Sequence, residues 1–232
     1  MIDVIPFESF GRFDNDWLHA RYHFSFSGYR DPKRNGAGAL LVWNDDEVEP
    51  HRGFDFHPHR DMEIVTYVRR GALSHRDNLG HAERIAAGSI QVMSAGSGIV
   101  HSEYNNEDEP ITLFQIWIRP STTGGAPGYV TIPLEQLGAG EGFVPLASGR
   151  PGVVAPAPLR QDASVLRAVL PAGGSATHAL EPGRHAYLVA TTDEFTVNGV
   201  KAKARDGIHL VGPTTIKLGA RTPTELILVD AP

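Results

Sequence analysis

A regular succession of short apolar runs and glycine-bearing turns between about residues 62 and 118 constrains the fold more than any other feature of this chain. The runs alternate or are continuously apolar, and they read MEIVTYV, GALSH, AERIA, SIQVM, GIVHSEY and ITLFQIWI. Evenly spaced strands with turns of this kind are typical of a β-sandwich or a jelly-roll barrel. We therefore predict an all-β fold.

A second set of strand-like runs follows, so we expect two barrels in one chain. Residues 120–133 are rich in Thr, Gly and Pro and lack strand periodicity, which is typical of a crossover. The later runs read VLRAVLPAG, HAYLVATTDEFTVNGVKAKARDGIHLVG and ELILVDAP, and Asn198-Gly199 is a strong hairpin signal. We expect a first domain over 1–120, a linker over 121–133 and a second domain over 134–232.

Two tripeptides in the first half, His57-Pro58-His59 and His101-Ser102-Glu103, offer metal-binding side chains in same-face pairs. Residues i and i+2 of an extended strand project to the same side. Three imidazoles and a carboxylate on one sheet make a site for a divalent transition metal, with open positions for substrate or oxygen. The candidate metal ligands are therefore His57, His59, His101 and Glu103.

Each pair also has an interpretation without metal. His57 and His59 could form an exposed polar edge, because Pro58 cannot donate to a strand ladder and suits an edge strand. Glu103 could be a surface carboxylate with His101 alone inside the barrel. Both interpretations stay open at this point.

Other histidines carry a weaker signal. In the second half, His178, His185 and His209 have no i+2 partner and no carboxylate at motif spacing, so we expect solvated or packed side chains. His75 lies on a nearby strand and could line the pocket. We do not count these four residues among the candidate ligands.

The segments around the two pairs resemble the two metal-binding motifs of cupins, and they resemble the pirin family, especially its bacterial members, more closely still. HPHRDMEIVTYVRRG and MSAGSGIVHSEYN carry the resemblance, and RYHFSFSGYRDP and the Asp45-Asp46 run LLVWNDDEVEP also fit. The resemblance is strong over about residues 10–120 and weak over the remainder. It implies two cupin barrels of the double-stranded β-helix, or jelly-roll, type, with metal only in the first.

The resemblance also implies a ligand set and an activity. Pirins hold iron through positions that match His57, His59, His101 and Glu103, so we expect one Fe(II) ion. The donors themselves admit Mn, Ni, Co, Cu or Zn as well. The implied activity is that of a quercetin 2,3-dioxygenase, which opens a flavonol ring with O2, and Glu103 would also take the proton of the flavonol 3-hydroxyl.

Several further side chains are candidates for the surroundings of the metal. Many cupins use the first-motif glutamate, here Glu63, as the metal carboxylate, so Glu63 and Glu103 could exchange roles. If the strand continues from His57, Glu63 lies on the same face, where a Glu or Gln such as Gln115 could orient an imidazole. Apolar residues could form a wall for a planar aromatic substrate or be plain barrel core, and these are Phe54, Phe56, Met93, Ile99 and Trp117.

Composition limits the classes of function. Residues 1–120 carry 12 Lys and Arg against 18 Asp and Glu, so the entire net charge of -6 lies in the first half. A basic footprint for nucleic acid is missing there. The chain has no cysteine, which excludes disulfides and thiolate sites. It has no leader-like start and no apolar run of about 18 residues, so we expect a cytoplasmic monomer without membrane contact.

A different class of function uses the same four ligands. The chain could be a non-catalytic, iron-dependent redox-sensing regulator that binds a protein partner. A regulator needs only a metal that changes oxidation state, whereas an oxygenase needs a cavity large enough for a bicyclic substrate. Access to the metal therefore separates the two hypotheses.

Overall fold

The computed structural model describes residues 2–137, 142–192 and 194–232, and in these residues the chain is almost entirely β. The strands of the first half are β1 (Ile2–Ile5), β2 (Gly11–Asp14), β3 (Leu18–Tyr22), β4 (Leu40–Val48), β5 (Gly53–His59), β6 (Glu63–Arg70), β7 (Ala72–Asp77), β8 (Ala82–Ala86), β9 (Ile90–Ser94), β10 (Ile99–Tyr104) and β11 (Ile111–Ile118). The remaining strands are β12 (Gly128–Ile132), β13 (Phe143–Ser148), β14 (Ala157–Pro158), β15 (Ser164–Leu170), β16 (Ser175–Leu180), β17 (His185–Ala190), β18 (Phe195–Val197), β19 (Val200–Ala202), β20 (Gly207–Val211), β21 (Thr214–Ala220) and β22 (Thr224–Ala231).

Short 3₁₀ helices at Phe7–Ser9 and Leu134–Gln136 are the other regular elements in the described part of the chain. No helix among the described residues is long and apolar enough to cross a membrane. The all-β prediction is confirmed. The predicted hairpin at Asn198-Gly199 is also present, because both residues have positive φ and connect β18 to β19.

Each half of the molecule pairs a seven-stranded sheet with a four-stranded sheet. In the first half the orders are β12-β9-β6-β11-β4-β3-β2 and β5-β10-β7-β8. In the second half they are β1-β20-β17-β22-β15-β13-β14 and β16-β21-β18-β19. The two halves thus repeat one arrangement, which confirms the prediction of two barrels.

The two barrels exchange their first strands. β1 begins the chain but pairs with β20 of the second barrel, and β12 follows the first barrel's last strand but pairs with β9 of the first. The expectation that residues 120–133 lack a strand is therefore wrong for Gly128–Ile132, which becomes an edge strand through pairing that the local sequence does not encode. We keep the division at 1–120, 121–133 and 134–232 as a proposal for the folding units, with these two strands exchanged.

The two seven-stranded sheets pack against each other at the centre of the molecule. Their contact is a buried apolar cluster that includes Trp43 and Phe114 from one sheet and Tyr187 and Val229 from the other. Burying one large apolar side chain contributes about 1.5–3 kcal/mol, so this contact is a major source of stability.

Charged and polar groups also connect the two barrels. Arg205 of the second barrel donates to the buried carboxylate of Asp45 on β4 over 2.5 Å, and Arg69 binds the other oxygen of Asp45. Tyr67 on β6 donates to Glu225 on β22 over 2.6 Å. The barrels are therefore joined by an ion pair and a hydrogen bond as well as by apolar packing.

Candidate metal centre and cavity

Three predicted ligand histidines come together inside the first barrel. His57 and His59 lie on β5, the edge strand of the four-stranded sheet, where Pro58 between them is tolerated. His101 on β10 lies directly opposite His57 in the strand register. The ring centroids are 4.5 Å apart for His57 and His101, 4.8 Å for His57 and His59, and 4.9 Å for His59 and His101.

A close approach between β5 and β10 makes this geometry possible. A Cβ atom on Gly53 would lie 2.2 Å from the carbonyl oxygen of Glu103, so only glycine allows the two strands to lie so near each other. The register shifts between His101 and Glu103, which inserts one extra residue into β5. Because of this bulge Phe54 faces the histidines, whereas Phe56 points outwards and is 61% exposed.

The imidazoles are in the state that a cation requires. The Nδ1–H of His57 donates to the backbone oxygen of Asp55 over 2.7 Å, which leaves Nε2 free. The Nε2 atom of His101 is buried without a hydrogen-bond partner. Burial and the neighbouring imidazoles lower the pKa of His59 to about 4 and that of His101 to about 2. Both rings are therefore neutral at neutral pH.

The ligand atoms of His57, His59 and His101 lie within 4.8 Å of one another. Neutral imidazoles converging on one point, with one buried nitrogen unpaired, fit a divalent transition metal. The donor set present in the structure therefore suits the ion that the sequence motifs predict.

Glu103 follows His101 on β10 and lies on the same face, 3% exposed. Gln115 Nε2 donates to Glu103 Oε2 over 2.9 Å, and Thr66 Oγ1 donates to Gln115 Oε1 over 3.0 Å. Thr66 thereby fixes which end of the Gln115 amide faces the carboxylate. Burial raises the pKa of Glu103 to about 7, although the hydrogen bonds from Gln115 and Thr66 oppose this rise.

His75 lies next to His101 in the interior of the barrel. Its ring is fully buried, and its Nε2 lies 3.1 Å from Asp77 Oδ2, while its Nδ1 lies 3.5 Å from Nδ1 of His101. The ligand atoms of His75, His101 and Glu103 also lie within 4.8 Å of one another. The structure thus brings Glu103 beside His101 and adds His75, which the sequence did not single out as a ligand.

Glu63 lies on the other face of the seven-stranded sheet. Its Oε2 accepts hydrogen bonds from Ser94 Oγ over 2.7 Å and from the backbone N–H of Arg160 over 3.0 Å. The predicted continuation from His57 is interrupted at Asp61, whose φ of +49° ends the first strand before β6 begins. Side-chain alternation is therefore not carried from one strand to the next, and Glu63 does not join the histidines.

A cavity of about 180 Å³ adjoins the histidine cluster. Of the predicted surroundings, Phe54, Gln115 and Trp117 line it, whereas Met93 and Ile99 pack with Ile64 and Ala95 in an apolar cluster. The complete lining consists of Leu18, Tyr22, Phe26, Asn44, Asp46, Phe54, His57, His59, Glu103, Gln115 and Trp117.

Sequence reasoning missed the contribution of β3 and β4 to this lining. Asn44 and Asp46 are two residues apart on β4 and face the cavity. A signal was present, because β4 begins as the apolar run LLVW and continues into Asn44, Asp45 and Asp46, which are all buried. Polar residues in such a strand need a structural partner or a ligand.

A row of polar side chains crosses the seven-stranded sheet beneath the metal centre. Direct cross-strand neighbours form this polar row, and its members are Tyr22, Asn44, Gln115, Thr66, Gln91 and Thr131. Gln115 and Thr66 hold Glu103, and Gln91 contacts His75 over 3.1 Å. The sheet therefore supplies the supporting hydrogen bonds of the centre from one line of residues.

Comparisons with known proteins agree with this arrangement. The family model Pirin matches residues 5–118, and the model Quercetinase C-terminal cupin domain matches residues 147–231. A pirin-like protein from Caulobacter vibrioides is 50% identical over 231 residues, covering 100% of both chains. The quercetin 2,3-dioxygenase of Escherichia coli K12 is 37% identical over 223 residues, covering 96% of this chain and 95% of that protein.

A solved structure is similar over the whole chain. The crystal structure of a bacterial pirin from Escherichia coli in complex with nickel(II) has 36% sequence identity and a TM-score of 0.91. The alignment covers 100% of this chain and 99% of that one. Both halves of the molecule, including the exchanged strands, are therefore matched by one solved fold.

Proposed function

Because the chain belongs to the pirin family, we propose that it is a metal-dependent dioxygenase that opens the central ring of a flavonol with O2 and releases carbon monoxide. One observation carries the proposal: a cavity lined by four aromatic side chains adjoins the histidine cluster. A metal that served only as a redox sensor would need no such space. The quercetin 2,3-dioxygenase activity named for the Escherichia coli relative supports the choice of reaction.

The proposed metal ligands are His57, His59, His101 and Glu103. The convergence of the three imidazoles and the unpaired Nε2 of His101 support this assignment. Nickel(II) in the related Escherichia coli pirin supports a divalent ion, and we propose Fe(II) by family resemblance, since the same donors accept Mn, Co, Ni, Cu or Zn. When bound, the ion supplies Lewis-acid and redox chemistry for the substrate oxygen and O2.

Glu103 is the proposed base for the flavonol 3-hydroxyl. Burial raises its pKa to about 7, so a Glu103 carboxylate that has left the ion is a stronger base than an ordinary one. Gln115 donates to Oε2 over 2.9 Å, whereas Oε1 has only a long contact of 3.5 Å with Thr66 Oγ1, so Oε1 is the proposed acceptor of the proton. A metal ion and a proton would compete for Oε1, so the proton transfer requires the carboxylate to turn away from the ion.

The cavity walls are suited to a planar aromatic molecule. Four aromatic rings line the space beside the histidines, and these are Tyr22, Phe26, Phe54 and Trp117. Trp117 contacts the ring of His59 edge-on, with 4.9 Å between ring centroids. Such walls bind an aromatic ring and keep water away from the reacting atoms.

The sequence-based expectation that the protein is a cytoplasmic monomer stays a prediction.

Oxygen uptake with quercetin tests this proposal. Tag-free protein is reconstituted separately with iron, manganese, nickel and copper, with His101→Ala as the blank. His185→Gln is the matched control, because His185 lies in the second barrel and contacts His209 over 2.9 Å. We expect metal-dependent uptake that His101→Ala abolishes and His185→Gln retains. Absence of uptake with every metal, despite stoichiometric binding, would favour the regulatory hypothesis.

A further inference from the structure

Asp46 is a buried carboxylate without a partner at the wall of the cavity. It is 4% exposed, and its Oδ1 has no hydrogen-bond partner among the described residues. Its cross-strand neighbours are Ala20 and Leu113, which are both buried and apolar. The neighbouring Asp45, on the other face of β4, is bound by two arginines.

This arrangement disfavours folding. A buried polar group without a hydrogen bond is costly. Burial raises the pKa of Asp46 well above its usual value, which disfavours the charged form and leaves Oδ1 as an unpaired buried acceptor. By contrast, both carboxylate oxygens of Asp45 on the same strand are bound by arginines. Asp46 is therefore better explained by a bound molecule than by stability of the free protein.

Asn44 repeats the pattern two residues earlier on the same face. Its Oδ1 is also buried without a partner among the described residues. It lies in the polar row between Tyr22 and Gln115, and Gln115 already uses its amide on Thr66 and Glu103. β4 thus presents two unpaired acceptor oxygens towards the cavity, one on Asn44 in the polar row and one on Asp46 beside it.

The missing donors are expected from an organic ligand. Asp46 belongs to neither cluster of metal-binding side chains found among the described residues. The same cavity is walled by aromatic rings, and the phenolic hydroxyls of a flavonol are donors that such acceptors can bind. Ligand and acceptors would then satisfy each other inside the cavity.

We propose that Asp46 and Asn44 form a recognition subsite for phenolic hydroxyl groups of the substrate other than the one that meets the metal. This inference rests on the proposed function for the aromatic nature of the ligand. It names the substrate class more narrowly as polyhydroxylated flavonols. A site with buried acceptors rejects an analogue that lacks the donor, because the acceptors are then left unpaired.

Binding without turnover tests the subsite. Zinc-loaded protein is titrated in the absence of oxygen with quercetin and with 3-hydroxyflavone, which keeps the 3-hydroxyl and lacks the other phenolic groups. We expect wild type to prefer quercetin by at least about tenfold, because the analogue leaves a buried acceptor unpaired. Asp46→Leu should remove most of this preference, and its thermal midpoint should not fall below that of wild type.

Leu18→Ala is the matched control, because Leu18 lines the same cavity and has no polar side-chain atom. It should weaken both probes by similar factors and leave the preference unchanged. Preference retained in Asp46→Leu, a lower midpoint in that variant, or no binding of either probe to wild type would overturn the subsite. A preference for quercetin over 3-hydroxyflavone that depends on Asp46, together with no flavonol oxidation by any metal form, would support the subsite and contradict the proposed reaction.

Discussion

The two barrels share one strand order but have opposite interiors. Where the first barrel has the polar row, the corresponding strands of the second barrel carry an apolar row of direct cross-strand neighbours. Its members are Pro145, Leu166, Leu228, Leu188, Ile208 and Val4. The architecture is therefore neutral towards function, which depends on the side chains that one barrel directs inwards.

The difference extends to unpaired polar atoms. Among the described residues, every buried side-chain nitrogen or oxygen without a hydrogen-bond partner lies before residue 120. These atoms include His101 Nε2, Asn44 Oδ1 and Asp46 Oδ1. The second barrel instead encloses a continuous apolar cluster. Unpaired buried polar atoms lower the stability of the first barrel, whereas the apolar interior of the second barrel stabilises the fold.

The largest expected effect is on catalysis in the first barrel. Glu103→Gln should lower the turnover of quercetin by about 10²–10⁴-fold, because removing a general base has effects of this size. Metal content should fall much less, since the three imidazoles remain. Steady-state kinetics and metal analysis on the same samples measure both, and His101→Ala should lose both. Equal turnover in wild type and Glu103→Gln would remove Glu103 as the base.

A core substitution in the second barrel should lower the stability of the protein and leave kcat unchanged. Leu188→Ala removes a fully buried side chain of the apolar row and should lower the free energy of unfolding by about 2–5 kcal/mol. Chemical denaturation measures this loss, and the kcat of the remaining folded protein should match wild type. A specific fall in kcat without loss of stability would contradict the division of roles.

Asp230 gives the second barrel a dependence of stability on pH. Burial alone would raise the pKa of Asp230, but hydrogen bonds from His178 and Arg184 outweigh it and hold the pKa below its usual value. A lowered pKa contributes stability above the unfolded-state value of about 3.9, and this is lost as pH falls through the folded-state value. Asp230→Asn should therefore lose about 3 kcal/mol at pH 7, because Arg184 and Arg150 both lose a buried carboxylate and Arg184 keeps only the half-exposed Asp162.

Unfolding curves from pH 7 to pH 3 test this dependence. The difference in the free energy of unfolding between wild type and Asp230→Asn should begin to shrink as pH falls through the unfolded-state value of about 3.9, because the unfolded chain then binds a proton before folded Asp230 does. A difference that is constant over the whole range would show that the charge of Asp230 is irrelevant.

The smallest effect on stability is expected at Thr66, which occupies the position in the first barrel that Leu188 occupies in the second. Thr66→Val keeps the shape of the side chain and removes the hydroxyl that binds Gln115. We expect a change of about 1 kcal/mol in the free energy of unfolding. The kcat should fall more clearly than KM changes, since Gln115 can then turn its amide away from Glu103. A loss of stability like that of Leu188→Ala would erase the contrast between the rows.

Local sequence was sufficient for some parts of this picture. Alternation within a single strand predicts that His57 and His59 share a face, and that His101 and Glu103 do. Prediction from alternation fails wherever an inserted residue or a turn reverses which face the following side chains occupy. The bulge in β5 brings Phe54 onto the face of His57, and the turn at Asp61 moves Glu63 to the opposite face.

Long-range register was not accessible from the sequence. The polar row joins residues from six strands, and nothing near Thr66 in the chain indicates that Gln115 lies beside it. The exchange of β1 and β12 depends in the same way on pairing between distant segments. Asp46 was recognisable as an acidic residue in an apolar strand, but its lack of a partner is visible only in three dimensions.

Calorimetric titration of metal-free protein with a divalent ion tests the central claim most directly. The account predicts one equivalent of Ni(II) per chain for wild type and for His185→Gln, and no binding of comparable affinity for His101→Ala. Full binding by His101→Ala, or loss of binding in His185→Gln, would contradict the claim that the polar first barrel alone holds the metal.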